Sequence, residues 1–144
     1  MRAAISSSLA LVSALAATLL LSSCVTPIWF LFYNAAGADV TVVAKNRYGD
    51  TDPVNIPAEQ ERLVPCQVGT YEIVSHEKVW RYRLDALNTE TIEISWYRRP
   101  WATDLRVIRV QLIEDGRLYL LSESQTAPVS AFTEQPKGFP LSPL

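Results

Sequence analysis

The chain contains one histidine, His76, in the stretch SHEK. A serine- or cysteine-based triad would have to use that residue, and a metal centre built on several imidazoles is excluded by composition. Its position between two strand-like segments reads as a solvated turn. Carboxylates fall in near pairs at Asp50 and Asp52, Glu59 and Glu61, and Glu114 and Asp115. Two carboxylates held about 5 to 9.5 Å apart can hydrolyse glycosides, but hairpin tips are a natural home for charge. YGDTDP opens like an oxygen-donor loop for calcium, yet it lacks the later acidic ligands and the terminal Glu of an EF-hand. No metal and no cofactor is implied.

The densest chemistry lies in SWYRRPWATD, residues 95–104, where Trp96, Tyr97, Arg98, Arg99 and Trp101 stand close together ahead of and just after Pro100. Guanidinium groups stack on aromatic faces and grip phosphate or carboxylate, so this cluster is the candidate binding site, for anionic lipid, envelope glycan or a protein partner. The plainer alternative is a strand end whose Trp96 enters the core while the arginines line the rim.

The two cysteines carry different meanings. Cys24 ends MRAAISSSLALVSALAATLLLSSC, a single basic residue followed by an uncharged apolar run and small serines. That is the layout of a secretory signal peptide. The run from Leu9 to Leu21 would rise only about 20 Å as a helix, short of a hydrocarbon core of about 30 Å. Leu21, Ser22, Ser23 and Cys24 resemble the lipobox of bacterial lipoproteins. The resemblance implies cleavage between Ser23 and Cys24, a diacylglyceryl group on Cys24 Sγ and acylation of the new amino group. Two or more acyl chains anchor stably where one holds marginally. Val25 stands where an Asp would resemble an inner-membrane retention signal, so the outer membrane, with the domain facing the periplasm, is the expected address. QPKGFPLSP at 135–143 is also similar to an ending found in small uncharacterised proteobacterial lipoproteins.

With Cys24 acylated, Cys66 in LVPCQVG has no partner for an intramolecular disulfide and reads as a small buried hydrophobe. The alternatives are an intermolecular disulfide or a reactive thiol. Thirteen Lys and Arg against fifteen Asp and Glu give a net charge of −2, without basic clusters of the kind that nucleic acid requires.

The elements that must position these residues read as strands. IWFLFY, then NAAGAD, then VTVVAK suggests a first antiparallel hairpin around Gly37. NRYGDTDP reads as a loop, and VNIPAEQERLVP as an edge strand or sheet switch because Pro57 and Pro65 lack donors. In VWRYRL, Trp80, Tyr82 and Leu84 share one face and Arg81 and Arg83 the other. In ETIEISW, Ile92, Ile94 and Trp96 oppose Glu93 and Ser95, so Arg81 or Arg83 facing Glu93 is the expected cross-strand pair. LRVIRVQLI and LYLLS flank Asp115-Gly116, a strong hairpin signal.

The expected architecture is all-β: an antiparallel two-layer β-sandwich of seven to eight short strands, immunoglobulin-like or related, after a cleaved helical signal peptide. Residues 1–23 are the signal peptide, 24–27 a lipidated tether, 28–122 the sandwich and 123–144 a Pro-rich C-terminal arm. Phe132, Phe139 and Leu141 favour an arm docked on the domain. The expected function is a lipid-anchored envelope protein with a non-catalytic binding or structural role, attached to the membrane through Cys24 and free to meet an envelope protein or glycan. The alternative is a ligand-binding module for an envelope glycan or anionic lipid through residues 96–101. A cell-wall enzyme would need His76 or a carboxylate pair.

Overall fold

A computed structural model describes residues 27–76 and 78–144. The expected leader, the cleavage point at Ser23 and the lipid-bearing Cys24 lie outside the described residues. Among the described residues, ten strands form two sheets. They are β1 (Ile28–Ala35), β2 (Val40–Asn46), β3 (Gly49–Asp50), β4 (Val54–Ile56), β5 (Glu61–Pro65), β6 (Gly69–Ser75), β7 (Lys78–Leu84), β8 (Ser95–Tyr97), β9 (Leu105–Ile113) and β10 (Leu118–Leu120). The excess over seven or eight comes from fragments of two and three residues. The first sheet runs β5-β1-β9-β10 with β8 on the early part of β9, and the second runs β3-β2-β6-β7 with β4 beside the start of β2. Among the described residues no helix interrupts this all-β sandwich.

All pairings are antiparallel except β1 with β9, which is parallel in the register Ile28↔Arg106 to Ala35↔Ile113. The first strand is therefore not hairpin-paired with the second, as the sequence suggested. β1 lies in the first sheet between β5 and β9, and β2 lies in the second. The reason is written in IWFLFYN, where Phe30 to Asn34 are buried on both faces. Such continuous burial fits a central strand covered on each side. NAAGAD is a corner between layers rather than a hairpin turn.

Asn34 holds that corner. It is wholly buried. Its amide donates to Ala38 O at 2.8 Å and Ile56 O at 2.9 Å and accepts from Ala36 N at 3.0 Å. The turn from β1 to β2 is thereby fixed to the end of β4, where the chain changes sheets through Pro57 to reach the edge strand β5. At the other end, the chain crosses back from β5 to β6. There the Tyr71 hydroxyl accepts from Gln67 N and reaches Pro65 O and Gln67 O, a tyrosine corner as found in Greek-key sandwiches.

The core lies between Phe30, Phe32, Ile108, Val110 and Leu112 of one sheet and Val40, Val42, Ala44, Tyr71, Ile73, Tyr82 and Leu84 of the other. Burial alternates in β2, β6 and β7 because one face of the second sheet is wet. Arg81 and Arg83 do point outward, but neither meets Glu93. Arg81 Nε lies 3.1 Å from Glu72 Oε2 on the adjacent β6, Arg83 turns to Asp85 at 2.6 Å, and Glu93 accepts from Glu123 N. The correction follows from topology, since residues 85–94 pass between the sheets and only Ser95–Tyr97 of ETIEISWY pairs as a strand, with β9.

The Asp115-Gly116 turn joins β9 to β10, with Gly116 at φ 86°. Trp80 closes over it, and the buried Tyr82 hydroxyl donates to Gly116 O, so the tip is packed against β7. Residues after Leu121 then lie on the domain. Gln111 exchanges two hydrogen bonds with Val129, Arg109 donates to Ser122 O and Gln125 O, and Tyr119 stacks on Phe132 at 3.9 Å. These partners project from the outer face of the first sheet. Farther on, Gln135 exchanges two bonds with Leu120, Leu141 bridges Leu118, and Leu144 N donates to Arg81 O. Phe139 and Leu141 pack against the core. The last ten residues thus close the open side between β10 and β7.

Candidate binding surface

β8 and β9 form a hairpin in the register Ser95↔Val107, Trp96↔Arg106 and Tyr97↔Leu105. The loop between them, residues 98–104, carries the rest of the expected cluster. Arg99 is spent on the loop itself: its Nε and Nη2 donate to Thr103 O at 2.9 and 2.6 Å, and its backbone N–H reaches Asp104 Oδ1 at 3.4 Å. Tyr97 is half-buried. Trp96, Arg98 and Trp101 are the side chains left to solvent, with Trp96 65% and Trp101 97% exposed. All five residues share one hairpin, but only three are presented.

Trp96 does not enter the core, which overturns the plainer alternative. Its pairing with Arg106 puts it on the inward side of the sheet, in line with Ile108, Val110 and Leu112. It lies one step past the end of the core, where no facing strand among the described residues covers it. The face was legible from alternation; the height along the sandwich was not.

Sequence reasoning missed three more residues at the same end. Arg47 and Tyr48 cap the turn from β2 to β3, with the Arg47 guanidinium 4.7 Å from the Tyr48 ring centre, and Val68 sits in the crossing from β5 to β6. Tyr48 is 82% and Val68 54% exposed. They flank a shallow hollow of about 590 Å³ with Asn46 and Gln67. The available signal was an aromatic residue inside a loop that had no packing reason to hold one.

Cys66 lies in the same crossing and is half-buried, and burial pushes its thiol up to about 12, so the thiolate is suppressed. At the opposite end, His76 starts the turn after β6 at φ 44° and is exposed. It borders a hollow of about 740 Å³ with Ser75, Lys78, Trp80 and Glu114. Among the described residues no hydrogen bond joins His76 to a hydroxyl, thiol or carboxylate. The carboxylate pairs are scattered: Asp50 is on β3, Glu59 accepts the Tyr33 hydroxyl at 2.8 Å, and Asp115 is held below the usual carboxylate range by hydrogen bonds from Arg117. Among the described residues no three His, Cys, Asp or Glu side chains are gathered as a metal site would require, and no helix is long and apolar enough to cross a membrane. Comparisons with protein-family models, curated proteins and solved structures returned no match.

Proposed function

We propose that this protein is a lipid-anchored bacterial envelope protein with a non-catalytic binding or structural role. The observation that carries the reading is Leu21-Ser22-Ser23-Cys24 at the end of an apolar run, four residues ahead of the first strand at Ile28. Acyl chains on Cys24 hold such a domain at a bilayer surface. Val25 directs it to the outer membrane, facing the periplasm. The chemistry on the domain supports binding over catalysis, since among the described residues His76 engages no nucleophile, and burial suppresses the Cys66 thiolate.

Metabolic labelling with an alkyne-bearing fatty acid is expected to mark the wild-type protein. Cys24→Ser should abolish the label and leave an uncleaved precursor. A Cys24→Ser protein that is processed and fractionates as wild type would refute the anchor.

A second reading, a ligand-binding module for an envelope glycan or anionic lipid, draws on the exposure of Trp96, Arg98 and Trp101. It is compatible with the anchor and concerns what the domain touches once it is there.

A further inference from the structure

Sheet register sorts the loops of the sandwich into two ends. Because β1 runs parallel to β9, with Ile28 beside Arg106, the start of β1 and the 98–104 loop lie at the same end. Trp29↔Pro65 brings the 66–68 crossing to that end, and Lys45↔Thr70 brings the turn after β2. Tyr48, Val68, Trp96 and Trp101, four of the large exposed apolar side chains, therefore crown one end of the molecule. Apolar side chains in such a group mark a surface that something covers.

The covering partner is argued from the chain itself. Cys24 is four residues from Ile28, a reach of about 14 Å when fully extended. The end that bears the exposed aromatic residues is thus the end from which the chain leads back to Cys24 and the apolar run before it. Charge agrees with this placement. Asp85 is engaged by Arg83 and Asp104 accepts only the Arg99 backbone N–H, while Arg47 and Arg98, and with them Asp50 in the same turn as Tyr48, make no ion pair among the described residues. The far end presents Asp39, Glu59 and Glu114 against Lys78. Trp and Tyr settle at the headgroup level of bilayers, and Arg favours anionic headgroups.

We infer that this end of the sandwich seats on the bilayer, with Trp96 and Trp101 in the headgroup layer, Tyr48 and Val68 beside them, and Arg47 and Arg98 on lipid phosphate. The protein is then held in a fixed orientation, with its acidic end and the hollow beside His76 facing away from the membrane. The inference rests on the lipid-anchor reading for which lipid surface is nearest, and extends it from a tether to a docked face.

Full-length protein purified from membranes would be reconstituted into phosphatidylethanolamine and phosphatidylglycerol vesicles, with and without brominated acyl chains, and tryptophan emission recorded. Brominated lipid is expected to quench the wild type, and the Trp96→Phe, Trp101→Phe double variant should lose that quenching while Trp29 and Trp80 still emit. Arg47→Glu with Arg98→Glu should weaken quenching, as should salt near 1 M, where the Debye length falls to about 3 Å. Unquenched wild type, or quenching that survives in the double variant, would overturn the inference. So would retention on peptidoglycan sacculi that depends on Trp96 and Trp101, which would assign the face to glycan. The mass of the amino-terminal peptide from the same preparation reads lipidation separately. Quenching without lipid on Cys24 would uphold the docked face and remove the anchor.

Discussion

Asn34 carries the junction of the two layers on one side chain. Its amide satisfies Ala38 O, Ile56 O and Ala36 N, and no water reaches it. Asn34→Ala would strand these groups, and a buried unpaired polar group costs about 1–3 kcal/mol. A loss of about 2–4 kcal/mol is expected from urea unfolding, a large part of the stability of a domain this size. Gly116 is a second sensitive position, for a steric reason. A Cβ there would lie 2.6 Å from Trp80 Nε1, on a backbone at φ 86°. Gly37 has a similar φ of 82° with nothing within 4 Å of the same added atom. Both Ala variants bear the left-handed backbone cost of about 1 kcal/mol, and only Gly116→Ala should exceed it, by at least another 1 kcal/mol. Equal unfolding midpoints for the two variants would argue against the Trp80 contact.

The strand-length elements divide by how local their signals are. β6 and β7 could be read because each alternates along its own few residues, down to Tyr82 inward and Arg81 outward. β8 could not be bounded, because Ile92 and Ile94 alternate in step with Trp96 while residues 85–94 form no strand. Phe132, Phe139 and Leu141 pointed to a docked arm, but no pattern in the arm named its partners. The structure supplies them through amides that act like a strand: Gln135 accepts from Leu120 N at 2.8 Å and donates to Leu120 O at 3.1 Å. Gln135→Glu keeps the size and one acceptor while directing a carboxylate oxygen at the Leu120 carbonyl. Gln135→Ala only opens those groups toward water. Glu is therefore expected to destabilise more than Ala, with Ala costing about 1 kcal/mol and Glu about 2. Hydrogen exchange at Leu120 should rise in both. Equal stability in Glu and wild type would remove Gln135 as a clamp.

At the scale of the whole molecule, the sandwich was legible as a class and its wiring was not. The central pairing joins Ile28–Ala35 to Leu105–Ile113, across most of the domain, and no local turn residue announces it. The same separation hid the shared end of the 98–104 loop and the start of β1. Long-range packing also concentrates buried acids that leave their protons late. Burial raises the Cys66 thiol to about 12 and holds the Tyr71 and Tyr82 hydroxyls well above the usual phenol range. In the unfolded chain, a thiol ionises near 8.5 and a tyrosine near 10. Between about pH 8.5 and 12 the native state therefore binds more protons than the unfolded state, and stability falls as pH rises. Each such group removes about 1.4 kcal/mol per pH unit within its window. Below about pH 8.5 the stabilising differences are complete; from about 8.5 to 10 the loss belongs to Cys66, and above about 10 Tyr71 and Tyr82, with Tyr33 raised by burial and the Glu59 contact, steepen it. Urea midpoints measured from pH 7 to 11 should follow that two-stage decline in the wild type. Cys66→Ala should stay level until about pH 10 and then fall, and Tyr82→Phe should soften only the later stage. A Cys66→Ala protein that declines from pH 8.5 with the wild-type slope would place the alkaline weakness in some other group.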